Sequence, residues 1–389
     1  MTTVSIEIEP FGQQAPKQLT HHRMPTHHRV PVMTQKHPLR FGILGAAQIA
    51  RKNWAAIYHS GNCQIVAVAS RDGSRARQMI QDCQPTHPFP IPPRVTEHYE
   101  SLLEDPAVDA VYAPLPTAVR KQWVIRAAKA GKHVLCEKPC AVSHADLTEM
   151  VQVCRRHNVQ FMDGVMFMHN PRMARLRDIL NDDTRIGPLR RITTVFSFLG
   201  GDNFQSSNIR TDAALEPFGC LGDLGWYCIR FALCVMDWQL PHSVSGRILA
   251  DAGEAAGQQV PVDFSGELQF EGAVSAGFHC SFRAENQQWA NVSGSRGWLR
   301  VPDFVLPTSD AQIAWEVNDQ PVMKCDAGIE LGTVTCRDSQ ESLMFRQFAN
   351  QVRSGMLNED WPHVSLLTQQ VLDACLTSAR ANGTLVALA

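Results

Sequence analysis

From Leu39 onward, short apolar runs of strand length alternate with longer runs of helical period, and this alternation constrains the fold more than any other feature of the 389 residues. The strand-like runs are Leu39 to Leu44, Ile65 to Ala69, Val108 to Ala113, His133 to Cys136 and Val159 to Met162. Between them the spacing predicts helices near Ile49 to Tyr58, Ser74 to Cys83, Ala118 to Ala130 and Ala145 to His157. Ser143 stands three residues before Asp146, a capping-box arrangement for the last of these, and Gly131 closes the one before it. Repeated strand–helix–strand units build an α/β fold with a doubly wound parallel sheet, because parallel neighbours need a crossover between them. Only Gln84 to Pro93, with five prolines, breaks the rhythm, and it is expected to be a surface connection.

After about residue 188 the hydrophobic period shortens to two. Leu189 to Phe198 and Phe264 to Phe270 alternate like strands with one covered face, a turn at Glu271 and Gly272 leads into Val274 to Phe282, and Gly294 to Gly297 form a hairpin before Trp298, Leu299 and Val301. Met344, Phe345, Phe348 and Val352 fall on one face of a terminal helix, and Leu366 to Leu376 supply another. These helices are expected to complete the second half or to pack back on the first. Residues 39–162 are thus expected to form the doubly wound domain. Residues 163–389 are expected to form an α+β domain with a large, open, mostly antiparallel sheet. At roughly 150 residues per domain the length fits two domains and an appendage.

The appendage is residues 1–38, with proline at 10, 16, 25, 31 and 38 and the histidines His21, His22, His27 and His28. It reads as a mobile arm, and a tail of this kind offers no fixed geometry for a metal, so no metal site is expected. The 36 basic and 38 acidic residues leave a net charge of -2, without the basic surplus of a nucleic-acid binder. There is no 18-residue apolar stretch to span a membrane, and with Glu7 and Glu9 near the start no secretory signal is expected. The twelve cysteines include no C-x-x-C pair, which points to free thiols in a reducing cytoplasm.

The first strand is followed by Gly45-Ala46-Ala47-Gln48-Ile49-Ala50. A dinucleotide fold needs small residues there, so that amides at a helix N-terminus can face a pyrophosphate, yet a glycine after a strand also serves any ordinary turn. At the end of the second strand, where an acidic side chain would meet the ribose 2′-hydroxyl of NAD, stand Ser70 and Arg71, with Arg75 one turn later. A hydroxyl and two guanidinium groups suit a 2′-phosphate, so NADP(H) is preferred over NAD(H), which remains possible; Asp72 pulls mildly the other way. Two further segments stand out: Leu135-Cys136-Glu137-Lys138-Pro139 at an inner strand end, and Gly219 to Tyr227, where Asp223 and Tyr227 share a face if the helix has begun. Each also has a bland reading, as a strand end and as a glycine-eased helix start.

Taken together, Gly45-x-Ala47-x-x-Ala50, the loop Ala113-Pro114-Leu115-Pro116-Thr117, Glu137-Lys138-Pro139 and Gly222-Asp223-Leu224-Gly225-Trp226-Tyr227 resemble, in order and spacing, the glucose-fructose oxidoreductase, inositol dehydrogenase and MocA family of NAD(P)-dependent oxidoreductases. The resemblance covers residues 39–389. It implies an N-terminal Rossmann domain with cofactor contacts from Gly45, Ala47, Gln48, Ile49, Pro114, Leu115, Pro116, Glu137 and Lys138, and a substrate domain that pairs into a homodimer through its open sheet. It implies that Lys138 lies beside nicotinamide and substrate, that a cis peptide precedes Pro139, and that Tyr227 places the chain in the tyrosine, dihydrodiol dehydrogenase-like branch.

On this basis Tyr227 is the expected acid/base, with its phenol lowered from about 10 by the Lys138 ammonium and with Asp223 orienting that lysine. The substrate class implied is a sugar, sugar derivative or diol. His169 and Arg210 lie in segments that line the pocket of similar proteins. Arg120 replaces a histidine common in the family and is expected to signal a different or anionic substrate. Two alternatives remain: a non-catalytic NADP-binding regulatory sensor, and an enzyme that keeps its cofactor bound and couples two substrates.

Overall fold

Six parallel strands run in the order β3-β2-β1-β4-β5-β6, the arrangement of a doubly wound dinucleotide fold. The computed structural model describes residues 37–201, 204, 208–253, 259–307, 312–319 and 328–388; the arm with its four histidines lies outside them. The strands are β1 (Leu39–Leu44), β2 (Cys63–Ala69), β3 (Arg94–Thr96), β4 (Ala110–Ala113), β5 (His133–Cys136) and β6 (Phe161–Asp163). The crossovers carry α1 (Gln48–His59), α2 (Gly73–Cys83), α3 (Tyr99–Leu103), α4 (Thr117–Lys129) and α5 (His144–Arg156). In α1 the residues Ala50, Asn53, Trp54 and Ile57 turn inward at helical spacing. The Ser143 hydroxyl accepts from the Asp146 amide and starts α5, as the capping box requires.

The segment Gln84 to Pro93 runs over the surface as expected of five prolines, with Phe89 as its buried anchor. The Trp54 indole donates to the His87 carbonyl at 3.0 Å, and Phe89 is buried with its ring 5.5 Å from that of Trp54. Prolines stiffen the run, so one aromatic anchor suffices to seat it on α1. It then delivers β3 and α3, both absent from the sequence expectation because each is too short to show a period.

Among the described residues the second sheet has nine strands, in the order β14-β13-β12-β11-β7-β10-β9-β8-β15. They are β7 (Leu189–Ser197), β8 (Ser243–Ala252), β9 (Val260–Phe270), β10 (Val274–Ser281), β11 (Gln287–Gly294), β12 (Trp298–Val301), β13 (Gln312–Asn318), β14 (Glu330–Thr335) and β15 (Val386–Ala387). All pairings are antiparallel except that of β7 with β10. The helices α6 (Arg172–Leu180), α7 (Trp226–Val235), α8 (Gln340–Ser354) and α9 (Asp360–Arg380) accompany it. Every residue of α7 from Trp226 to Leu233 is buried.

The terminal helices pack back on the first sheet. Phe345 meets Phe41 of β1 edge-on at 5.5 Å and Tyr112 of β4 at 5.6 Å, while Arg346 donates to the carbonyls of Ser60 and His59. Phe345 is fully buried, so Phe345→Ala is expected to destabilise the fold by about 3–5 kcal/mol, read as a lowered urea midpoint at unchanged m.

Candidate active site

The carboxyl ends of β1, β4, β5 and β6 lie side by side, and the sequence-predicted residues gather along that edge. Gly45 leaves β1 with φ +99, a conformation L side chains rarely adopt, and a Cβ there would lie 3.3 Å from Leu115 of the neighbouring loop. The turn then opens α1, whose N-cap Ala47 supplies no side-chain acceptor and whose first turn holds no acidic residue. No side chain caps the leading amides, and Gly45 leaves a gap beside Leu115 that a side chain would fill. These are conditions that suit a pyrophosphate and so fit a bound dinucleotide. Gln48 and Ile49 occupy that first turn.

At the end of β2, Ser70 is buried, with its amide bound to the Thr96 carbonyl, while Arg71 and Arg75 are exposed. Asp72 caps α2, accepting from both the amide and the hydroxyl of Ser74, so its carboxylate is engaged locally. Sequence reasoning missed Tyr99. Burial raises its phenol, and Arg71, which hydrogen-bonds it, and Arg75 act in the opposite sense. Its hydroxyl would lie 3.7 Å from a Cβ on Gly45, which puts Tyr99 between the turn and the two arginines.

Glu137 and Lys138 follow β5, and the Lys138–Pro139 peptide is cis, as the resemblance implied. Glu137 turns inward: its carboxylate accepts from the Tyr112 hydroxyl at 2.5 Å, and that hydroxyl accepts from Asn53 at 2.6 Å. Lys138 turns the other way. Its ammonium donates to both the Asp223 carboxylate and the Asp223 carbonyl at 2.7 Å and sits 4.8 Å from the Tyr227 ring centroid. The Nε of Arg210 takes the other Asp223 oxygen at 2.9 Å.

Asp223 rides on a wide π-type turn, Leu221–Gly225, that runs directly into α7 and its Tyr227. Such a turn is a recurrent device at functional sites. The turn is set by Gly219, with φ +50, where a Cβ would come within 2.1 Å of the Pro261 carbonyl of β9. Just upstream, the Glu216 carboxylate accepts from the Thr117 amide at 3.0 Å and from its hydroxyl at 2.5 Å, capping α4 from outside.

The electrostatics correct one expectation. Burial pushes the Tyr227 phenol well above its ordinary value, and the carboxylates of Glu137, Asp223 and Glu341 add to this. The Lys138 ammonium does not lower it as expected, because it lies over the ring face while the hydroxyl points to the Met166 sulfur at 3.7 Å. Burial would also raise the Asp223 carboxyl, but Lys138 and Arg210 outweigh it and hold the group at about 2.

Two of the expected substrate contacts are engaged within the protein. Arg120 is buried, and its guanidinium makes four hydrogen bonds to the main-chain carbonyls of Leu115, Glu137 and Pro139, so it is engaged by the main chain and not held out to an anionic substrate. The Nδ1 of His169 pairs with Gln347 at 2.7 Å, and its ring lies 6.2 Å from Trp361, which ties it to the terminal helices. Among the described residues no group of His, Cys, Asp and Glu could hold a metal ion, and no helix is long and apolar enough to cross a membrane.

An uncapped helix N-terminus and a charged tyrosine cluster at one sheet edge suit a dinucleotide-dependent oxidoreductase. Comparison with known proteins agrees. Residues 39–165 match the oxidoreductase family with the NAD-binding Rossmann fold (GFO_IDH_MocA), and residues 173–300 match the GFO/IDH/MocA C-terminal domain; the chain belongs to this family.

A dTDP-3,4-didehydro-2,6-dideoxy-alpha-D-glucose 3-reductase from Saccharopolyspora spinosa is 30% identical over 89% of this chain and 98% of its own. A trans-1,2-dihydrobenzene-1,2-diol dehydrogenase from Mus musculus is 33% identical over 69% of this chain and 76% of its own. Among solved structures, KijD10, a 3-ketoreductase from Actinomadura kijaniata in complex with NADP and TDP-benzene, superposes with a TM-score of 0.75 at 26% identity, covering 88% of this chain and 98% of its own.

The Asp223 pair predicts a pH-dependent stability. Its folded value of about 2 lies below the ordinary value of about 3.9, so its contribution is full above that value and fades as pH falls toward 2. Asp223→Asn, which leaves two cations facing one another, is expected to cost about 3 kcal/mol at neutral pH. The gap from wild type in urea unfolding is expected to close between about pH 4 and pH 2.

Proposed function

We propose that this chain reduces a carbonyl of a sugar or sugar derivative with NADPH, with Tyr227 as proton donor and Lys138 as the cation beside the reacting oxygen. The observation that carries the reading is the joining of Lys138, Asp223, Arg210 and Tyr227 at the sheet edge where the Gly45 turn leads into the uncapped N-terminus of α1. The bound nicotinamide would supply the hydride. Everything else falls to the side chains of the protein.

Tyr227 is buried among carboxylates and holds its proton through neutral pH. A neutral phenol gives a proton to an alkoxide readily and takes one from an alcohol poorly, which favours reduction over oxidation. Lys138 spends two of its three N–H donors on Asp223, leaving one for the oxygen as negative charge develops on it. Asp223 fixes the lysine, and Arg210 fixes Asp223 from the second side. The ketoreductase and diol dehydrogenase relatives act on ring carbonyls or vicinal hydroxyls, in keeping with such a site.

For the cofactor, Arg71 and Arg75 stand exposed beyond β2 while Asp72 is occupied at its helix cap, an arrangement that supports NADP(H) over NAD(H). Pairing of two copies belongs to the same proposal. Alternate residues of the nine-stranded sheet face away from its buried side and carry Arg191 paired with Glu267 and His279 paired with Asp263. Light scattering is expected to read a dimer, and a monomer at micromolar concentration would count against this pairing.

A screen of keto-sugars with NADPH tests the main reading. Tyr227→Phe and Lys138→Met are each expected to lower kcat by about 100-fold or more while fluorescence titration still reads NADPH binding. Reduction by the wild type is expected to stay level from about pH 6 to pH 9, because the raised Tyr227 value removes the alkaline limb that a lowered phenol would give. Near wild-type turnover in either variant would overturn the assignment. In a separate titration, Arg71→Ala is expected to weaken NADPH about 10-fold and to leave NADH nearly unchanged. An equal loss for both nucleotides would contradict the 2′-phosphate reading.

A further inference from the structure

Arg120 is 3% exposed, and its hydrogen-bond partners are main-chain carbonyls. Burying a guanidinium without a carboxylate beside it is costly, so its partners have to compensate well. Nε and Nη2 both donate to the Leu115 carbonyl, in the loop that follows β4. Nη1 donates to the Glu137 carbonyl at 2.8 Å and to the Pro139 carbonyl, in the loop that follows β5. The last two carbonyls flank Lys138 on either side.

We propose that Arg120 is a positioning residue that locks the Leu115 loop to the Glu137–Pro139 loop, and thereby aims Lys138 at the reacting oxygen and seats the wall that Leu115 forms beside the Gly45 turn. The inference rests on the proposed role of Lys138. The fork of a guanidinium reaches two loops at once because its five N–H donors diverge in one plane; an ammonium at the same place reaches one. Thr117, three residues earlier on α4, has its hydroxyl 3.4 Å from the Pro139 carbonyl, but its one proton goes to Glu216 and it does not hold the loop. Without Arg120 three carbonyls at the edge lose their donor, and the Lys138 backbone is free to rotate away from Asp223. A displacement of this kind near the reacting atoms costs on the order of 100-fold in rate.

The test uses the full chain and the variants Arg120→Lys and Arg120→Met. Both are expected to raise the NADPH dissociation constant several-fold in fluorescence titration, a readout that needs no substrate. Amide hydrogen exchange in the absence of nucleotide is expected to quicken at residues 115–117 and 137–140 with little change in β7 to β12. With a keto-sugar that the wild type reduces, kcat is expected to fall by about 10- to 100-fold. The isotope effect from C4-deuterated NADPH is expected to rise, because hydride transfer becomes the slow step.

Arg120→Lys keeps the charge and carries the test should Arg120→Met fail to fold. Wild-type exchange at both loops together with a wild-type isotope effect in Arg120→Lys would overturn the inference. A wild type that binds NADPH but reduces no carbonyl would instead overturn the proposed function, leaving the exchange and titration results to judge Arg120.

Discussion

The contact between Lys138 and Asp223 is the constraint on which the rest of the site depends. Lys138 belongs to the parallel sheet, and Asp223 to the turn that enters α7 above the nine-stranded sheet, so one ion pair joins the two halves of the fold at the edge where the chemistry is proposed. Two cations outweigh the burial of one carboxylate, and Asp223 therefore stays ionised down to about pH 2. A fixed anion in turn fixes the ammonium. The position of Lys138 is thus an electrostatic consequence of Arg210 and Asp223 together.

The surrounding structure supports that contact from several sides. Gly219 gives the turn its close approach to β9, Glu216 ties the preceding segment to the start of α4, and a buried pair between Arg230 and Asp163 clamps α7 to the end of β6 one helical turn beyond Tyr227. Below, the Tyr112 hydroxyl, itself held by Asn53, donates to the inner carboxylate of Glu137. The result is a site whose charged groups are held in place before any ligand arrives, and preorganisation of this sort is what electrostatic catalysis requires.

The doubly wound sheet was legible because its strands and helices are long enough for hydrophobic period to show, from Leu39–Leu44 to His144–Arg156. The elements that escaped were short or hidden by composition: β3 has three residues and follows five prolines, and the seating of Phe89 on Trp54 has no local signal. The residues at the site were legible as types, and the fold brings Lys138, Asp223, Tyr227 and Arg210 together. Their electrostatics were not. Whether Lys138 lowers the Tyr227 phenol depends on whether it meets the oxygen or the ring face, a distinction no spacing carries. Arg120 was misread for a similar reason, since its acceptors are carbonyls of two loops that meet only in the folded chain. Tyr99 could have been noticed as one of only four tyrosines, yet only the fold shows that it lies against Gly45.

The central claim is that Tyr227 holds its proton at neutral pH, and the difference in phenolate absorbance between the wild type and Tyr227→Phe tests it most directly. The account predicts superimposable titrations from about pH 6 to about pH 9, with any Tyr227 signal appearing only above the ordinary phenol value of about 10. A phenolate band that titrates near neutrality in the wild type and is absent from Tyr227→Phe would contradict it.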